Sequence, residues 1–303
     1  MKNNRPDQYS KTFRTMITMI FVAAFTLPLH GCNEDVPVAE PFNAAPVAVT
    51  RAPVEELDVT TKEAVILGGR LYDDWPTLKG KTFTANNPMA VFMPDYPSTA
   101  AGSVYGDFVA LDGGLAAPTK PNQYRCVTCH GFDYLGSEFS DVGIMDAANN
   151  KAVEEIQAII RDGISFKIGT TTTTTVHDFG GNLSGVEIAA LATFIKYGVV
   201  DISDYIRVFG PVGKGDADNG GSLYKGKVAD CSNCHGLDGK LIPFEPGESV
   251  GTIGRNDPGE MLHKIRFGQP GSTPRMPSIY EKSGLTTKDA ADIMTYTQQL
   301  PAP

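Results

Sequence analysis

The chain has 303 residues, room for two domains of ordinary size. Its 41% hydrophobic, 20% charged and 9% aromatic content suffices for packed cores and excludes both wholesale disorder and a multi-pass membrane protein. A formal charge of −9 argues against nucleic acid or an anionic lipid surface as a partner, and 32 Gly with 21 Pro predict long loops between short helices.

In chain order, a basic leader comes first, with Lys2, Arg5, Lys11 and Arg14 against Asp7. An apolar stretch follows from Met16 to Leu29, 14 residues long and too short for a membrane span of about 20. Residues 1–31 therefore read as a secretory signal peptide. Leu29-His30-Gly31-Cys32 resembles the bacterial lipoprotein signal, which implies lipidation of Cys32. Residues 32–59 lack apolar periodicity, carry Pro37, Pro41, Pro46 and Pro53, and are rich in acids. They are expected to form a flexible linker, reaching roughly 80 Å if fully extended as polyproline II.

Beyond Cys32, the remaining four cysteines fall in two copies of one pattern, Cys126-Val127-Thr128-Cys129-His130 and Cys231-Ser232-Asn233-Cys234-His235. C-x-x-C-H is the covalent attachment motif of c-type haem. Two thiols three positions apart on one turn reach the two vinyl-derived carbons on one porphyrin edge, and the following His lies under the iron. A zinc ribbon would set its pairs roughly 15–20 residues apart, whereas these lie 105 apart. The reading is two covalently bound haem c groups, held by Cys126, Cys129, Cys231 and Cys234 with His130 and His235 as proximal iron ligands.

The chain also repeats itself. Gly68-Gly69-Arg70-Leu71-Tyr72 matches Gly220-Gly221-Ser222-Leu223-Tyr224, and Ile160-Arg161-Asp162-Gly163 matches Ile265-Arg266-Phe267-Gly268. A middle helix is expected in each half. Asn150 would cap the first, with Val153, Ile156, Ile159 and Ile160 inward; Asp257 and Pro258 would start the second, with Met261, Leu262 and Ile265 inward. Each half ends in an amphipathic helix. Ser184 with Glu187 caps the first, between Leu183 and Ile188, and Gly198 ends it; Thr286 with Asp289 caps the second after Leu285.

These motifs resemble class I cytochrome c domains in tandem. The resemblance covers roughly 60–200 and 208–303, and implies an all-α fold of two small domains with long loops. In that family the sixth iron ligand comes from a loop before the last helix. Pro274-Arg275-Met276-Pro277 occupies that place in the second half, so Met276 is the implied ligand, and a thioether raises the potential. The matching loop of the first half holds no Met, and we infer that His177 replaces it, giving bis-His ligation. Met145 is the rival ligand, but it precedes the middle helix. His263 reads as a structural or exposed histidine, and the six threonines from Thr170 to Thr175 as a loop edge without chemistry.

The first half carries an insertion at about 73–125, with Trp75, Tyr96, Tyr105 and Phe108. It is expected to shield the first haem, or else to form a docking surface. Two six-coordinate haems leave no iron site for a substrate. The expected function is therefore a periplasmic electron carrier without substrate chemistry of its own. It would be tethered to the membrane as a lipoprotein and pass single electrons between other redox proteins, entering near the lower-potential first haem and leaving through the second. A dihaem oxidoreductase of the peroxidase or sulfur-compound dehydrogenase type is the runner-up, and a cytochrome subunit of a larger dehydrogenase is a third reading.

Overall fold

A computed structural model describes residues 51–80, 125–136, 143–168, 172–207, 210, 212–243, 248–282 and 284–302. Cys32, the signal segment, residues 33–50 of the linker and most of the insertion, including Tyr96, Tyr105 and Phe108, lie outside them.

The described residues are predominantly helical, and two runs of five helices follow the same order. The first run is α1 (Val59–Leu78), α2 (Cys126–His130), α3 (Met145–Asn150), α4 (Val153–Asp162) and α5 (Gly185–Thr193), which a π-helical turn extends over Phe194–Gly198. The second is α6 (Ala217–Lys225), α7 (Cys231–His235), α8 (Val250–Asn256), α9 (Pro258–Phe267) and α10 (Thr287–Thr297). Between α4 and α5 an antiparallel hairpin pairs β1 (Ile164–Ile168) with β2 (Thr172–Val176). This hairpin departs from the all-α expectation. Its second strand is the threonine run, whose β-branched side chains favour extended backbone.

The first and last helices of each run cross at the repeated glycines. A Cβ on Gly68 would lie 2.1 Å from the Ala190 carbonyl oxygen, and one on Gly220 would lie 1.9 Å from that of Asp292. Only a residue without a side chain permits such an approach. The apolar faces continue from one run into the other: Val65, Leu71 and Phe194 belong to the same buried cluster as Phe267, Ile293 and Met294. The described residues fall within one compact unit, Ala48–Pro303. None of their helices is long and apolar enough to cross a membrane.

Helix starts follow the capping residues. The Asp58 carboxylate accepts the Thr61 N–H at 3.0 Å to open α1. Ser184 and Glu187 bond reciprocally, as do Thr286 and Asp289, and Asp257 caps α9 ahead of Pro258. Asn150 departs from expectation. It ends α3 with its amide on Asp146, and Ala152 stands at the cap position of α4. Alanine offers no acceptor, so that end is held from the other side, by Glu155 accepting the Ala152 N–H at 2.7 Å.

Two further expectations change. From Arg51 onward the linker is packed: Val54 is 1% exposed, Arg51 donates to the Lys196 carbonyl at 3.1 Å, and Glu55 meets Thr287. Trp75, expected in the inserted segment, lies in α1. Pro76 cannot continue the helix, so α1 kinks at Asp74, whose carboxylate then caps the last turn by accepting the Thr77 N–H at 3.0 Å. The kink turns Trp75 inward, fully buried and edge-on to Phe179 at 6.1 Å.

Candidate functional site

Each C-x-x-C-H motif forms a single helical turn, α2 or α7, and the two are built alike. The following glycine adopts φ 69° in one and 77° in the other. Its carbonyl accepts the hydroxyl of the tyrosine on the first helix: Tyr72 to Gly131 at 2.6 Å, Tyr224 to Gly236 at 2.9 Å. The His carbonyls close the loop, His130 accepting from Gly136 and His235 from Leu241. The repeated G-G-x-L-Y motif thus has two duties, helix crossing by its glycine and support of the cysteine turn by its tyrosine.

None of Cys126, Cys129, Cys231 and Cys234 is in a disulfide. Burial pushes the Cys126 thiol up to about 12, the Cys129 thiol to about 11 and the Cys231 thiol to about 12, so these sulfurs carry their protons at neutral pH. Cys234 is exposed.

In the second copy, Cys231, Cys234 and His235 line a cavity of about 620 Å³, and Met276 lines the same cavity from the loop between α9 and α10. That volume lies within the usual range for a bound organic molecule. The His235 Nδ1–H donates to the Ile242 carbonyl at 3.0 Å, which leaves Nε2 as the nitrogen with a lone pair. Burial lowers the pKa of this ring, which favours its neutral form. The Met276 loop is fixed at both ends: its N–H donates to Ser272 Oγ at 2.8 Å, and Ser278 Oγ donates to the Arg266 carbonyl. Ile265 and Ile293 complete apolar walls. Gln269 also lines the cavity, with its Oε1 buried and lacking a hydrogen-bond partner among the described residues. The sequence analysis did not single it out; an amide just past the α9 glycine was its only signal.

In the first copy, His130 and His177 come together, with ring centres 5.7 Å apart and planes 20° apart. The hairpin delivers His177. Ile164 pairs with Val176, so His177 leaves at the hairpin base, and the N–H groups of Phe179 and Gly180 bond the Ile160 and Arg161 carbonyls at the end of α4. His177 itself holds φ 66°, a left-handed conformation that costs a non-glycine residue roughly 1 kcal/mol or more. Its Nδ1 is buried and has no hydrogen-bond partner among the described residues. Burial, with His130 beside it, lowers its pKa to about 4. Met145, the rival ligand, opens α3 and packs against the buried cluster. His263 is wholly buried on α9.

Each copy therefore presents two thiols and an imidazole on one turn, with a second imidazole (His177) or a thioether (Met276) brought to the same site. Among the described residues, no group of three His, Cys, Asp or Glu side chains is arranged to hold a bare metal ion. The donor set suits a planar group bonded at its edge by sulfur and held at its centre from both faces. No family model matches the chain, and no curated protein matches it.

Proposed function

We propose that the chain is a dihaem c-type cytochrome that carries single electrons between periplasmic redox partners, held near a membrane by a lipid on Cys32. Cys126 and Cys129 would bond one haem and Cys231 and Cys234 the other. When bound, the haem iron supplies reversible one-electron chemistry.

The protein's part is to hold each centre closed. The observation that carries the reading is the meeting of His130 with His177, 47 residues further on in a loop that holds no Met. His130 and His177, with ring centres 5.7 Å apart, would hold the first haem between them. His235 and Met276 would close the second centre across its cavity, His235 oriented by the Ile242 carbonyl. With both faces taken by side chains, substrate has no place on either iron, and transfer is outer-sphere. The class I cytochrome c resemblance and the secretory leader agree with this reading.

Low-temperature EPR of the oxidised protein tests it. We expect one bis-His and one His/Met low-spin signal, and loss of the bis-His signal in His177→Ala. A high-spin signal in the unaltered protein would instead favour an enzyme with an open iron site. In a redox titration the bis-His centre should titrate below the His/Met centre; the reverse order would contradict the ligand assignment.

A further inference from the structure

Helix α9 belongs to the second copy, yet from Met261 to Phe267 every residue is buried. One face, with Ile265, walls the second copy's cavity. The other carries His263, Lys264 and Arg266, at 1%, 3% and 1% exposure. Burying three such side chains is costly unless each is hydrogen-bonded or paired.

Most of those partners lie in the first copy. Lys264 Nζ meets Asp73 Oδ2 at 2.7 Å. The other oxygen of Asp73 pairs with Arg125, which also donates to the Asp73 backbone carbonyl. Arg125 is the residue immediately before Cys126, at the cap position of α2. His263 bonds Tyr134 at Nδ1 and the Gly69 carbonyl at Nε2, both at 3.0 Å. Tyr134 lies four residues after His130. Arg266 donates to the Gly198 carbonyl at 2.6 Å and to Tyr280 within its own copy. Neighbouring residues of α9 thus grip the first cysteine turn on both flanks. The arrangement is not reciprocal. Arg161, the counterpart of Arg266 on α4, is exposed and among the described residues pairs with its neighbour Asp162. The counterpart of Arg125 is Asp230, whose side chain makes no cap bond.

We infer that α9 is a positioning element for the first copy's C-x-x-C-H turn, acting through the Lys264–Asp73–Arg125 chain and the His263–Tyr134 bond. The second copy thereby sets the orientation and the local charge of the first centre. Asp73 is ionised in this chain: burial pushes its carboxyl up, but Lys264, Arg125 and His263 outweigh that and hold it below the usual range.

The potential readout of this inference rests on the haem reading; the exchange readout does not. The test uses the full chain as Lys264→Met, Asp73→Asn and Tyr134→Phe, the last removing one oxygen at constant packing in case a charge variant fails to fold. Amide exchange of residues 126–136 should accelerate in Lys264→Met and Tyr134→Phe while residues 231–236 stay unchanged. In the redox titration, the first centre's reduction constant should fall in Lys264→Met and rise in Asp73→Asn, each by a few-fold to about tenfold, with less change at the second centre. Unchanged exchange at 126–136, equal acceleration at both turns, or shifts of the same sign in both charge variants would overturn the inference. An unaltered chain that carries no haem would sink the haem reading instead and leave the exchange result to decide this one.

Discussion

Helices α4 and α9 occupy the same place in two copies of one helix order, and both end in Ile-Arg-x-Gly. On α4 the arginine, Arg161, stands in solvent; on α9 it is Arg266, wholly buried. Counting back from the shared motif, Ala158 and Ile159 stand where α9 has His263 and Lys264. The backbone role is conserved between the copies while the outer face is not. A repeat motif therefore fixes where a helix lies, and the residues outside the motif decide whether its far side meets water or the other copy.

The largest effect separating the two helices should come from Lys264→Ala. It leaves Asp73 buried with only Arg125, and the loss should be about 3–5 kcal/mol, read as a lowered urea midpoint. The control Arg161→Ala should leave the midpoint where it was, since that pair is solvated. An equal loss in both would erase the distinction drawn between α4 and α9.

The helix crossings should instead behave alike. Gly68→Ala and Gly220→Ala each force a methyl into a backbone carbonyl, and each should cost about 1–3 kcal/mol. A loss confined to one copy in thermal unfolding would mean that only one crossing is tight.

Of the two helices, α9 carries a buried histidine that acid should reach. Burial lowers the His263 pKa to about 3; Asp73 works against this, while Lys264 and Arg266 add to it. Because the folded value is depressed, only the unfolded chain binds this proton between roughly pH 6.5 and 3. The contribution is full above about pH 6.5 and declines as pH falls, the loss reaching about 2 kcal/mol by pH 5. His263→Gln should flatten that slope, measured as the difference in unfolding free energy at pH 7 and pH 5; an unchanged slope would place the titration elsewhere. The smallest expected effects are Tyr72→Phe and Tyr224→Phe, each deleting one hydroxyl bond to the glycine after a cysteine turn, at about 1 kcal/mol in chemical unfolding.

Much of this was legible in the sequence because it is local. The caps Ser184, Thr286 and Asp257 bond residues three positions on, and the paired glycines and tyrosines declare themselves by recurring. The meeting of His130 and His177 was inferred only because the second copy has a Met in the loop where the first has none. The seam on α9 was not legible. Lys264 finds Asp73 at a separation of 191 residues, and Asp73 finds Arg125 at 52, while a charged residue on a helix is by default assigned to solvent. Trp75 was misplaced for a related reason: the insertion was set to begin at about residue 73, whereas Asp74 restarts the helix around Pro76. The hairpin did leave a signal, in the Ile164-Ser165-Phe166-Lys167-Ile168 alternation facing the threonines, too short to weigh against an all-helical pattern.

The account rests on both cysteine turns carrying a covalent haem. Intact-mass measurement of the secreted, denatured and reduced chain tests this directly. The account predicts the polypeptide mass plus two haems, falling to one when Cys126 and Cys129 are both replaced by Ala and likewise when Cys231 and Cys234 are. A chain with no haem mass added, or one whose haem count does not change with these substitutions, would contradict it.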